Sequence, residues 1–161
     1  MLLSLQTDYA LRALLDIARN GGPRGMLTRH LAARQNVPPI FLTKIVAQLA
    51  SHGIVRTQRG KGGGVRLGRD PSEINLLDVV EVFEGRLRAN PCTAAEDCCD
   101  FAENCAIRDL WLNSEEKLRS YIAQFTLADL VKASNTSPSD RAAEAQQSPR
   151  SEQLHSQPRS E

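Results

Sequence analysis

The sequence predicts a mainly α-helical chain with one small β-hairpin, and three observations carry that prediction. Apolar residues recur at three- and four-residue spacing over most of residues 5–125. Only the stretch 54–68 reads as two strands, and they flank the glycine run Gly60-Lys61-Gly62-Gly63-Gly64. Asn20-Gly21-Gly22-Pro23, Asn36-Val37-Pro38 and His52-Gly53 fall where helices would end.

Each element follows in order. A first helix is expected from about Gln6 to Arg19, with Ser4 or Thr7 near its cap. Tyr9, Leu11, Ala13, Leu14, Ile17 and Ala18 supply its apolar contacts, and Asp8, Arg12, Asp16 and Arg19 a polar stripe. Thr28 is expected to cap a short second helix through Leu31, Ala32 and Ala33. Pro39 opens a third, a residue type favoured in the first helical turn, and Leu42, Ile45, Val46 and Leu49 form its buried stripe. Two short helices joined by a tight turn make a helix-turn-helix. Strands at Ile54 to Arg59 and Val65 to Gly68 add a wing, so the architecture is a winged helix-turn-helix followed by a long dimerisation helix. Asn75 caps a helix that runs to Gly85, and the long helix spans about Asn104 to Gln124, with Ile107, Leu110, Trp111, Leu118, Tyr121, Ile122 and Phe125 at helical spacing.

Four segments result: 1–85, a DNA-binding unit; 86–103, a loop; 104–134, a dimerisation helix with a C-terminal segment; and 135–161, a tail. The tail holds six Ser, four Gln and three Pro, with Leu154 its only large aliphatic residue. Too little apolar surface is available there to offset chain entropy, so disorder is expected.

Net charge is +1, yet it is divided along the chain. Residues 1–75 hold eleven Lys or Arg against four Asp or Glu, a net +7, and residues 76–134 hold six against eleven, a net −5. The basic half is the candidate nucleic-acid face. Thr28, Pro39, Phe41, Thr43, Lys44 and Gln48 lie on or beside the helix-turn-helix, where side chains near the start of the third helix can meet base edges in a major groove. Arg59 and Lys61 in the wing are placed to reach phosphates or a minor groove. A phosphate-binding loop of the nucleotide-hydrolase kind is excluded, because Lys61 is followed by glycine rather than by Ser or Thr.

Cys92, Cys98, Cys99 and Cys105 fall within fourteen residues, and no other position is cysteine. Thiolates gathered at loop spacing suit zinc or an iron-sulfur cluster. Residues 1–20 lack the basic start of a secretory signal and carry Asp8 and Arg12, too polar for a membrane span. A cytoplasmic, reducing location is therefore expected, where stable disulfides are uncommon. No hydrolase, zinc-protease or dinucleotide motif is present, so an enzyme is not expected.

Taken together, Gln6-Thr7-Asp8-Tyr9-Ala10-Leu11-Arg12, the wing Arg59 to Gly64 with Leu67-Gly68, the stretch Ile74 to Glu84 and the cysteine loop before a long helix resemble the winged-helix transcriptional regulators that include IscR, NsrR and RirA. The resemblance covers about residues 1–133. It implies a homodimer on a double-stranded, pseudo-palindromic DNA operator, with an iron-sulfur cluster in the cysteine loop. Members of the family usually separate the second and third ligands by five residues. Cys99 and Cys105 keep that spacing, which makes Cys92, Cys99 and Cys105 the expected ligands and Cys98 a spare thiol. IscR-like members have a histidine ligand where this chain has Ile107, while Asp8 matches the position that the NsrR-like branch uses from the opposite subunit. The resemblance thus implies a 4Fe-4S cluster in preference to 2Fe-2S and a repressor that senses nitric oxide. Sensing of iron or cluster status, and a structural zinc site, are the alternatives.

Overall fold

The structure is a computed structural model that describes residues 3–58, 60, 63–95 and 99–135. Six α-helices and one hairpin are present among them: α1 Leu5–Asn20, α2 Thr28–Gln35, α3 Pro39–Ser51, β1 Val55–Thr57, β2 Val65–Leu67, α4 Leu76–Glu84, α5 Ala106–Ile122 and α6 Leu127–Asn135. Short 3-10 turns stand at Pro71–Glu73, Pro91–Thr93 and Ala102–Asn104.

The core forms where the apolar stripes of α1, α2, α3 and the hairpin converge. Ala10, Ala13, Leu14 and Ile17 of α1 meet Leu31 of α2, Leu42, Ile45, Val46 and Leu49 of α3, and Val55 and Val65 of the strands. All four residues expected on the inner face of α3 are buried, so its outer face is fixed as Phe41, Thr43, Lys44 and Gln48. β1 and β2 pair antiparallel, Val55 with Leu67, Arg56 with Arg66 and Thr57 with Val65. Met26 adds a bridge to Val65, with backbone bonds of 2.8 Å in both directions.

That bridge corrects one expectation. Because Met26 is drawn into the sheet, the chain leaves extended geometry at Leu27, which is the N-cap of α2 without a side-chain bond; Thr28 is the first helical residue rather than the cap. The strands are also shorter than the sequence suggests. α5 begins two residues later than expected, since Cys105 keeps extended backbone after the 3-10 turn at Ala102–Asn104. α4 ends as expected at Gly85, whose φ of 67° and ψ of −162° belong to glycine alone.

α6 is an element the sequence reading left without a helix. Thr126 and Asp129 bond reciprocally at its start, the Thr126 hydroxyl and amide donating to the Asp129 carboxylate at 2.7 and 2.9 Å. Backbone bonds from Leu76 to Phe125 and from Leu127 to Ile74 return the chain to the first unit, and Leu127 is buried there.

Asp16, one of the polar stripe of α1, is buried. It is 5% exposed and accepts from Arg34 Nε and Nη2 (both 2.8 Å), Gln35 (2.8 Å) and Asn20 (2.7 Å), joining α1 to the end of α2. Those bonds, Arg34's first, hold its carboxyl below the ordinary aspartate value against the opposing effect of burial. A carboxyl depressed in the folded state stabilises above its unfolded pKa, and that stabilisation is lost as pH falls through the folded one. Unfolding by urea should accordingly show a midpoint that drops below about pH 4. Asp16→Asn should lower the neutral-pH midpoint and flatten the acid limb; an unchanged limb would remove Asp16 from this role.

Candidate DNA interface and cysteine loop

The turn between α2 and α3 places the recognition surface. Asn36 takes the left-handed conformation, φ 53° and ψ 46°, one of the few residue types that does so at modest cost. Its N–H caps the end of α2, and Pro38 and Pro39 start α3 at once. On the outer face of α3 Lys44 and Gln48 are exposed, and the large ring of Phe41 is 44% exposed. The Thr43 hydroxyl donates back to the carbonyl of Pro39 at 2.8 Å, on the exposed side of the helix. Thr28 is half-buried and Pro39 exposed at the edges of this face. Arg59 and Lys61 lie outside the described residues.

The cysteine loop starts where α4 ends. Glu84, the last residue of α4, accepts from the Ser4 amide (2.8 Å), the Ser4 hydroxyl (2.7 Å) and the buried Thr7 hydroxyl. Hydrogen bonds from Ser4 and Thr7 keep its carboxyl below the usual glutamate value. One carboxylate therefore fastens both the root of the loop and the first turn of α1, which carries Asp8.

The Cys92 arm is built onto α5. Asn90 accepts from the Cys92 amide at 3.0 Å, and Arg108 Nε donates to the Cys92 carbonyl at 3.2 Å. Glu115, 5% exposed, accepts from the Ala89 amide at 2.7 Å and from the Thr93 hydroxyl. Burial pushes the Glu115 pKa up, but the bonds from Thr93 and Ala89 and the charge of Arg88 outweigh it and leave it low. Cys105 is the N-cap of α5, where the helix dipole favours negative charge. Cys99 is exposed, and the Phe101 amide donates to its Sγ at 3.4 Å.

None of Cys92, Cys99 and Cys105 is in a disulfide, and Cys98 lies outside the described residues. Within one chain no group of three metal-donor side chains is gathered among the described residues. Asp8 is apart from the loop thiols: its carboxylate is exposed and pairs with Arg12 at 3.4 Å, the same guanidinium that donates to the Gln35 carbonyl at 3.0 Å. The donor set nonetheless fits a thiophilic metal group. Three thiols are accessible, one already accepts an amide N–H, and one stands at the positive end of a 17-residue helix. Cys92 and Cys105 are both tied to α5, whereas Cys99 stands on the exposed stretch between them.

Arg56 and Arg66, which the sequence reading did not single out, are paired across the strands and exposed.

A helix-turn-helix followed by a two-stranded wing is an architecture of DNA-binding proteins. The family model for Rrf2, described as an iron-dependent transcriptional regulator, matches residues 3–133, and the chain belongs to that family. It is 37% identical over 134 residues to protein aau3 of Rhizobium meliloti, covering 83% of this chain and 86% of that one. The transcriptional regulator IscR of Xenorhabdus nematophila is 29% identical over 132 residues, 82% and 80% of the two chains. Among solved structures, T. potens IscR superposes with a TM-score of 0.68 at 24% identity, over 84% of this chain and 89% of that one, a likeness of fold. The chain is thus a transcriptional regulator and not an enzyme. No helix among the described residues is long and apolar enough to cross a membrane.

Proposed function

We propose that this chain is a homodimeric repressor of the NsrR-like branch that binds a pseudo-palindromic operator, holds an iron-sulfur cluster and reports nitric oxide. The observation that carries the reading is the trio Cys92, Cys99 and Cys105, accessible thiols outside disulfides on the loop between α4 and α5. Asp8 of a second copy is the fourth ligand, and 4Fe-4S suits this set better than 2Fe-2S. Such a group supplies iron whose oxygen-held corner is more open to a diatomic gas than a thiolate-held one.

The chain's own residues do the rest. Glu84 holds the helix end that bears Asp8, and Arg108 and Glu115 hold the arm that bears Cys92. α1 reaches the helix-turn-helix through Arg12 to the Gln35 carbonyl and through Asp16 to Arg34. A change at Asp8 is therefore felt where α2 turns into α3. Dimerisation is supported by α5, on which Ile107, Leu110, Leu118 and Tyr121 are between 37% and 65% exposed at helical spacing. A twofold axis through that surface presents two recognition helices to two half-sites.

Anaerobic titration of the cluster-loaded dimer with nitric oxide, with operator binding followed by anisotropy, tests the proposal. Release at a few molecules per cluster is the expected result. Release only on iron chelation would move the function to iron or cluster-status sensing, and a colourless protein containing zinc would make the site structural. Asp8→Ala should alter the visible spectrum before any gas is added. An identical spectrum would leave Asp8 as the partner of Arg12 alone.

A further inference from the structure

Arg56 of β1 and Arg66 of β2 are direct cross-strand partners, and both are exposed on the face of the hairpin that points away from the core. Side chains directly opposite in an antiparallel pair have Cβ atoms about 5 Å apart, so two guanidinium groups here repel. Neither arginine makes an ion pair among the described residues, whose pairs involve Arg12, Arg34, Arg119 and Lys132. The Met26–Val65 bridge sets Gly25 beside Arg66 as the third position on the same face. Gly25 has a φ of +73°, and a Cβ on it would stand 2.6 Å from the Val65 carbonyl and 3.2 Å from the Arg66 Cβ. That position therefore carries no side chain, and the flank of Arg66 stays open. The hairpin is also tied to α3, since the Ile54 amide bonds the Leu49 carbonyl at 3.0 Å and the Ile54 carbonyl in turn accepts from the Gly68 amide at 2.8 Å.

We infer that Arg56 and Arg66 form a phosphate-binding ledge on the strands of the wing, separate from the wing tip and from the outer face of α3, and that its occupant is the sugar-phosphate backbone of duplex DNA. The inference rests on the DNA-binding reading. Charge complementarity selects phosphate: two forked donors side by side match its oxygens in a bidentate way, and no carboxylate among the described residues pairs with either. The fixed link to α3 means that seating the recognition helix in a groove also fixes the ledge against the flanking backbone. Such a contact adds affinity and salt dependence without sequence preference.

The test uses the full-length dimer, a duplex that the wild-type protein selects from a random-sequence pool, and an unrelated duplex of equal length. Binding is measured across a salt series for Arg56→Gln, Arg66→Gln and the double variant. Each substitution should lower the salt slope by about one for every engaged wing and weaken both duplexes by the same factor, roughly threefold to tenfold. Thermal unfolding of the double variant should be unchanged or slightly raised, because a repulsive pair is removed. An unchanged slope in a double variant that still prefers the selected duplex would overturn the ledge and leave the regulator reading intact, the result expected if the arginines serve an acidic protein partner. Loss on the selected duplex alone would overturn it too, since base reading rather than phosphate contact would be shown. Failure of the wild-type protein to select any duplex would instead strike the DNA-binding reading itself.

Discussion

Alanine at Cys92, Cys99 or Cys105 is expected to give a colourless protein after anaerobic purification, whereas Cys98→Ala keeps its visible absorption. The effect is expected to be close to complete because each variant leaves only two of the three proposed loop ligands, and Ala supplies no donor. Folding should survive, since Cys92 and Cys105 are only half-buried, Cys99 is exposed, and none of them is part of the core. The amide of Phe101 already donates to Cys99 Sγ, which favours Cys99 as the middle ligand. Colour retained in Cys99→Ala and lost in Cys98→Ala would exchange the two. Circular dichroism on each variant separates loss of the cluster from loss of the fold.

Leu42→Ala or Leu49→Ala should destabilise the protein by about 2 to 5 kcal/mol, the range for deleting a buried leucine where the surroundings cannot collapse. Both side chains are fully buried at the junction of α1, α3 and the hairpin. Against a total stability of about 5 to 15 kcal/mol, either loss is severe. Urea unfolding gives the number directly; a change under about 1 kcal/mol would mean that the core of α3 is not placed as described. Leu42 has a second consequence, because Phe41, Thr43 and Lys44 are its neighbours on the helix. Operator affinity should fall even at temperatures where Leu42→Ala remains folded.

How far the sequence could be read depended on whether a signal was local. The inner face of α3, the cap at Asn75 and the stop at Gly85 follow from spacing and residue chemistry within one element, and the structure has them where they were expected. Thr28 was misjudged as a cap because the deciding contact, Met26 with Val65, joins residues 39 positions apart. Asp16 was legible as one of a polar stripe, but its burial under Arg34 and Gln35 of α2 was not. α6 was missed for a different reason: Thr126-x-x-Asp129 is a local signal, but it lies so close behind a long helix that one continuous segment seemed sufficient. In the site, the donor types at Cys92, Cys99 and Cys105 were legible, while the supports at Glu84, Arg108 and Glu115 were not. Those three act through contacts across 80, 16 and 22 residues, which no spacing rule encodes.

The double engagement of Arg12, with Asp8 on one side and the carbonyl that ends α2 on the other, carries an obligation that runs in both directions. If holding a ligand at Asp8 changes the protein's affinity for its operator by some factor, then holding the operator must change the affinity at Asp8 by the same factor, because the two routes around the thermodynamic square close. On the proposed function the operator would in that sense be an effector of the site at Asp8. Protein seated on DNA and protein free in solution would then present sites of different tenacity, and the number of binding sites in the genome would set which population answers first.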